Sequence, residues 1–323
     1  IGRAMTSATH AAIVEQRYAA CRTLAIAARD LYRVIGDRES EADVLVRQAS
    51  AAARLSMLAE SRQCYEEAVS IYRSIGKRLG IAAVLVNSGI QDVRVGRLAE
   101  AERSLREAAT EFAALKDLRG ETACALNLSF VSLLRGDGEA AKASALQAVR
   151  LARSVPHAGY EAAALANLGS AERELGDLSA AAQHMKEGLA VRARIGESRD
   201  YADELAQLML VQSLAREHDA AREQGEAVWS ALESVSDAIF MPHLACAAAA
   251  KAFDALGDVE RASALWQKAH ALMESQASVI PDGAEREMFL SLPAHREIET
   301  RKSTRAPKEP SRRARGGARR VSH

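Results

Sequence analysis

Apolar and small residues recur along the chain at a fixed interval of 40 positions. Ile35, Ile75, Leu115, Val155, Ile195 and Val235 make one register. Cys21, Ser61, Ala101, Ala141, Ala181, Ala221 and Ala262 make a second, with one extra residue in the last interval. Ala28, Ala68, Ala108, Ala148, Gly188, Val228 and Ala269 make a third, and glycines recur at Gly96, Gly136, Gly176 and Gly257. Agreement among independent registers marks an internal repeat, and a period of this size belongs to solenoids and related arrays. Within one unit, Ala164, Leu165, Leu168 and Leu175 share one helical face. Gly176 suits the left-handed position that ends a helix, and Asp177 can cap the next one with its side-chain oxygen. The second helix packs through Leu178, Ala181, Met185 and Leu189, and Gly196 stops it. Each unit therefore predicts two helices, with small residues letting them approach closely.

The expected fold is all-α: an α-solenoid of about seven helix-turn-helix units in a right-handed superhelix. The units fall at 2–41, 42–81, 82–121, 122–161, 162–201, 202–242 and 243–282, so the array spans 1–282. A capping helix is expected over 283–299. Asp282 would start it, and Met288, Phe289 and Leu292 would close the apolar end that the last repeat leaves open. Residues 300–323 read as a disordered basic tail.

The first helix of the unit carries Leu168-Gly169, echoed more weakly by Ser88-Gly89 and Leu128-Ser129. Twelve residues after the second position of each pair come Ala101, Ala141 and Ala181, and seven later another small residue. In these positions the repeat resembles the tetratricopeptide (TPR) family, in a longer variety than its familiar unit of about 34 residues. It is similar to repeat regions of bacterial transcription regulators and of ATPase- or kinase-linked signalling proteins. The resemblance covers about residues 2–282. It implies a superhelix that binds protein segments, although a fold of this kind does not by itself fix a function.

Composition agrees with a packed helical chain. Of 323 residues 48% are hydrophobic and only 4% aromatic, and Ala makes up roughly a fifth. That excludes a disordered chain and disfavours sheets. The longest uncharged stretches, such as 238–250, fall short of the roughly 20 residues a bilayer span needs, so no membrane partner is expected. Cys21, Cys64, Cys124 and Cys246 form no CxxC pair and read as reduced thiols of a cytoplasmic protein. The chain begins with Ile1 and a weak first repeat, which reads as part of a longer product.

The 43 basic and 43 acidic residues cancel overall, but not locally. Residues 301–323 hold nine basic residues and one acid, leaving 34 basic and 42 acidic residues in 1–300. The tail could contact phosphates, yet no aromatic is interleaved for base stacking, so nucleic acid is not the expected partner. Phosphate-loop, HExxH, GxSxG and kinase signatures are all absent, and the eight histidines lack metal spacing. The expectation is a chain without catalysis, metal or cofactor.

One polar column stands out on the first helices: Asn87, Asn127, Asn167 and Gln207, again 40 apart. The TPR resemblance places this column on the concave groove. A ladder of amides can hold a peptide backbone, since each offers one acceptor and two donors. Alternatively each amide fixes the geometry between repeats. Flanking positions are apolar at Ile90, Val93, Phe130, Leu133 and Leu210, with positive charge at Arg47, Arg54 and Arg94. The candidate groove is thus Asn87, Asn127, Asn167, Gln207, Ile90, Phe130 and Arg94, and the expected partner is a protein or peptide segment. The alternative reading is a sensory or regulatory region whose partner lies within a larger kinase, ATPase or transcription regulator.

Overall fold

A computed structural model describes residues 2–155, 157–196, 201–233 and 240–304. Among these are sixteen helices and no strand. Fourteen form seven consecutive antiparallel pairs: α1 (Gly2–Val14) with α2 (Tyr18–Ile35), α3 (Arg38–Arg54) with α4 (Leu58–Ser74), and α5 (Arg78–Arg94) with α6 (Leu98–Leu115). There follow α7 (Leu118–Arg135) with α8 (Gly138–Ala152), α9 (Ala158–Glu174) with α10 (Leu178–Arg194), α11 (Ala202–Leu214) with α12 (His218–Glu233), and α13 (Pro242–Leu256) with α14 (Val259–Ser278). The second helices begin at Tyr18, Leu58, Leu98, Gly138, Leu178 and His218, in step with the 40-residue period. The result is the expected α-solenoid.

Caps and turns arise from the residues the pattern singled out. The Asp177 side chain accepts from Ala180 N at 3.1 Å, and Asp37, Asp117, Asp137 and Asp258 cap their helices alike. Gly176 has φ +85°. The left-handed turn recurs twice per unit, however, and at Gln16, Ser56, Lys116 and Arg216 it falls on residues other than glycine. That is why the glycine register shows only part of the turn pattern. Leu175, placed on the buried face by its spacing, is instead the C-cap of α9 and 39% exposed. The small registers are fully buried, as at Ala101, Ala141, Ala181 and Ala221. Neighbouring repeats are also tied on the surface by Arg33–Glu67, Arg73–Glu107 and Arg153–Glu187, at 2.5, 3.1 and 2.8 Å.

The C-terminal region departs from expectation in two ways. It forms two helices, α15 (Gly283–Leu290) and α16 (Pro293–Thr304), so helix continues into the segment read as tail. The rest of that tail, 305–323, lies outside the described residues. Asp282 does cap α15, accepting from Glu285 N at 2.9 Å. The cap, however, reaches across to the first half of the array. Glu285 lies 3.0 Å from Arg62 of α4 and 3.3 Å from Arg97 at the start of α6. Phe289, fully buried, backs onto the α5–α6 turn, where a Cβ added to Gly96 would stand 2.7 Å from Phe289 Cα. Gln276 of α14 donates to the Arg94 carbonyl at 2.5 Å. The curvature of the superhelix brings that turn close enough to bury Phe289 and Leu292, while Met288 stays 46% exposed. One continuous core accordingly joins α5–α7 to α11–α16.

Candidate functional site

The first helices α7, α9, α11 and α13 face inward and, with Ile90 of α5, Met185 and Arg192 of α10 and the start of α16, line a partly open cavity of about 610 Å³. That volume is in the range of small-molecule and short-segment pockets. Five of the seven residues singled out from the sequence line it: Ile90, Asn127, Phe130, Asn167 and Gln207. Leu133 and Leu210 line it too. Two do not. Asn87 is half-buried on α5 outside the cavity wall, and the Arg94 guanidinium lies over the Phe240 ring, 5.5 Å from its centroid. Phe240 also meets Phe130 edge-on at 5.9 Å and so closes that end of the groove. Val93 is buried in the core.

The amide column divides in its roles. Asn167 Nδ2 donates to the Leu126 carbonyl at 3.1 Å and to Ser129 Oγ at 2.8 Å, both on α7, so it fixes one repeat on the previous one. Asn127 Nδ2 donates back to Ala123 O of its own helix at 2.8 Å. Gln207 Oε1 is buried and has no partner.

Charged groups at the wall are mostly matched. Arg192 grips Glu204 through Nε and Nη2 at 2.6–2.9 Å, and Lys251 of α13 meets Glu297 of α16 at 2.5 Å. Arg173 pairs through Nη2 with its own neighbour Glu174 at 2.7 Å, leaving its buried Nε without a partner. Burial holds the Asp203 carboxyl above its ordinary range, against the pull of Arg192. The remaining wall is apolar, with Leu126, Met185, Met241 and Leu244 beside several alanines. The pattern had not pointed to Phe240, Met241 or the α16 residues Pro293, Ala294 and Glu297, which carry no 40-residue register.

Other candidate groups behave as packing. The four cysteines are buried and unpaired; burial pushes Cys64 and Cys246 up to about 11 and Cys124 up to about 12, which keeps them un-ionised and inert. Trp266 is buried and donates to Asp254 at 3.0 Å, and Trp229 packs edge-on to Phe253. His270, Glu274 and Glu299 bring their ligand atoms within 4.8 Å, a cluster that sequence spacing did not disclose because Glu299 comes from another helix. His270 Nε2 and Glu299 lie 2.7 Å apart there, as an ordinary side-chain pair would. No helix among the described residues is long and apolar enough to cross a membrane.

Residues 121–194, which cover α7 to α10, match the tetratricopeptide repeat family. No curated protein matches the sequence. Among solved structures the chain is similar to the apo form of RapI, at 13% identity over 82% of this chain and 100% of that one, with a TM-score of 0.61. It is similar to the Rap conjugation gene regulator of plasmid pLS20 in complex with the Phr* peptide, at 13% identity over 83% and 78%, TM-score 0.56. It is also similar to a signal transduction ATPase with numerous domains from Pyrococcus horikoshii, which has a tetratricopeptide repeat sensor, at 14% identity over 93% of this chain and 50% of that one, TM-score 0.51. At these identities the likeness concerns the fold.

Proposed function

We propose that this chain, a member of the tetratricopeptide-repeat superfamily, is a non-catalytic interaction array that holds a short protein or peptide segment in its central cavity. The observation that carries the reading is the cavity itself: first-helix residues from four consecutive repeats converge on it, and its apolar lining is interleaved with three amides, three cations and four carboxyl groups. A shape of this kind suits binding and orientation. The start of α16 adds Pro293, Ala294 and Glu297 to one wall, and the volume suits a short segment. The Rap regulator solved with a Phr* peptide supports the same reading at the level of fold.

The test is a block of the cavity. Ala166 lines it, and Ala166→Phe would fill it. Native mass spectrometry against a pool of N-acetylated tripeptides should show retention by the wild-type chain and loss in Ala166→Phe, with Arg73→Ala on the outer surface as a control. Equal retention by Ala166→Phe would place binding elsewhere.

A second reading is that the array is the sensor of a longer signalling protein, supported by the Pyrococcus horikoshii protein, of which the matched part is half. An in-frame ATPase, kinase or DNA-binding domain adjoining this chain in its gene would bear it out. An adjoining frame with stop codons on both sides would oppose it.

A further inference from the structure

Where α16 packs along α14, three side chains converge, and none of them lines the cavity. His270 and Glu274 stand one turn apart on α14 and so share a face, and Glu299 reaches them from α16. One ligand atom of each lies within 4.8 Å of the other two. His270 is only 9% exposed and its Nε2 points at Glu299, 2.7 Å away, while both glutamates are exposed. The backbone on each side is anchored, since Ala269 and Met273 of α14 and His295 and Ile298 of α16 are fully buried. The three groups are therefore carried by two helices pressed together by the core, the kind of support that holds a ligand set in place.

An ordinary ion pair accounts for His270 and Glu299 and leaves Glu274 over. Its carboxylate has no hydrogen bond or ion pair among the described residues, yet it comes within 4.8 Å of the same imidazole and the same carboxylate. One imidazolium answers one negative charge, so two carboxylates around it leave the group a charge short. Cations on the same helices have contacts of their own: Lys268 donates to the Leu232 and Glu233 carbonyls, and Arg301 stands over the Trp266 ring at 5.7 Å. A divalent ion beside a neutral imidazole balances both carboxylates. The spacing suits it too. Ligand atoms of a tetrahedral site with bonds of about 2.1 Å stand about 3.4 Å apart, between the 2.7 Å of the existing pair and the 4.8 Å limit of the cluster. The donor set narrows the ion: imidazole nitrogen with carboxylate oxygens suits zinc and its first-row neighbours, whereas calcium and magnesium take oxygen ligands.

We infer that His270, Glu274 and Glu299 form a binding site for a zinc-class divalent cation that clips α16 to α14, with water completing the coordination on the exposed side. The ion replaces one side-chain pair by three metal bonds and ties the closing helix to the last repeat. The site stands whatever the cavity holds, although Pro293, Ala294 and Glu297 of the same α16 form part of the cavity wall.

The experiment uses the full chain, stripped with a chelator and dialysed, with zinc chloride as the probe. Calorimetric titration near neutral pH should show one zinc per chain. Glu274→Gln and Glu299→Gln, both at exposed positions, should each weaken binding at least about 10-fold, since even a group behind a metal ligand is worth that much. His270→Ala should do the same, with circular dichroism to check that it folds. His10→Ala, at an exposed histidine of α1, should change nothing. Zinc at about 100 times its dissociation constant should raise the protection of α16 amides against exchange by up to about 100-fold, and Glu299→Gln should lose that gain. Absence of zinc binding, or full-strength binding in both glutamine variants, would overturn the site. Full-strength binding in Glu274→Gln alone would overturn the three-ligand assignment. Zinc bound without added protection in α16 would overturn the clip, and displacement of zinc by equal magnesium would overturn the choice of ion.

Discussion

At the scale of single residues, the repeat depends on a few places where nothing larger fits. Gly169 is one. A Cβ there would stand 2.6 Å from Met185 Cγ and 2.8 Å from the Ala181 carbonyl oxygen, and the backbone contact cannot yield cheaply. Gly→Ala in a helix interior ordinarily stabilises by up to about 1 kcal/mol. Here Gly169→Ala should instead destabilise by about 1–3 kcal/mol, the cost of overpacking, in urea unfolding. Gly225 makes the control: its nearest neighbour would be Phe253 Cε1 at 3.4 Å, so Gly225→Ala should be neutral or stabilising. The amide column gives a second pair. Asn167→Ala removes two hydrogen bonds to the preceding repeat and should cost about 1–2 kcal/mol. Asn127→Ala removes a bond to its own helix and should stay within about 0.5 kcal/mol. Identical residues in one sequence register therefore have different weights, because Ser129 stands across from Asn167 and accepts from it.

At the scale of elements, α15 and α16 carry the closure. Phe289 is fully buried, and Phe289→Ala should cost about 3–5 kcal/mol of the stability of this closure, read as faster amide exchange in α15 and α16 before α7–α10. Acid should act on the same place. His243 and His295 are fully buried with their Nε2 atoms 2.9 Å apart, and His295 Nδ1 lies 2.7 Å from the Phe289 carbonyl. In the neutral pair His295 donates to that carbonyl through Nδ1–H and accepts from His243 through Nε2. Burial holds both imidazoles below their ordinary value, His243 at about 3, where His295 adds to the effect. The unfolded chain therefore binds more protons just below pH 6.5. The pair's contribution is intact above that pH and falls as pH drops through it toward the folded values. Asp92, whose carboxyl burial raises to about 6 against the pull of Arg97, works the other way: between its unfolded value near 4 and about 6 the folded chain holds the extra proton and gains. Protection factors of the α16 amides, which allow for the slower intrinsic exchange in acid, should fall from pH 7.5 to pH 5, and His243→Leu with His295→Leu should flatten that dependence. An unchanged slope in the double variant would mean the pair is not its source.

At the scale of the whole molecule, an open solenoid unfolds by pieces, since each repeat touches only its neighbours. This one also joins its seventh repeat to its second and third through α14–α16. In the full chain, urea transitions followed by Trp229 and Trp266 in the last repeats and by circular dichroism of all helices should coincide. Truncation after residue 282 removes Phe289, Leu292 and Ile298 from the shared core and should separate the two transitions. The helix pairs and five cavity residues were legible in the sequence because they follow the 40-residue period. The closure was not: Glu285 and Arg62 lie 223 residues apart and belong to no register, and their meeting depends on how much curvature seven repeats accumulate. Phe240 and Met241 were missed for the same reason. Solenoids commonly lengthen by duplicating a unit, because an open end accepts another copy. Here one added unit would carry α15 past the Gly96 turn, and one fewer would stop it short. Repeat number is consequently a fixed property of this chain, and its relatives with a matching closure should differ in the sequence of their units rather than in how many they have.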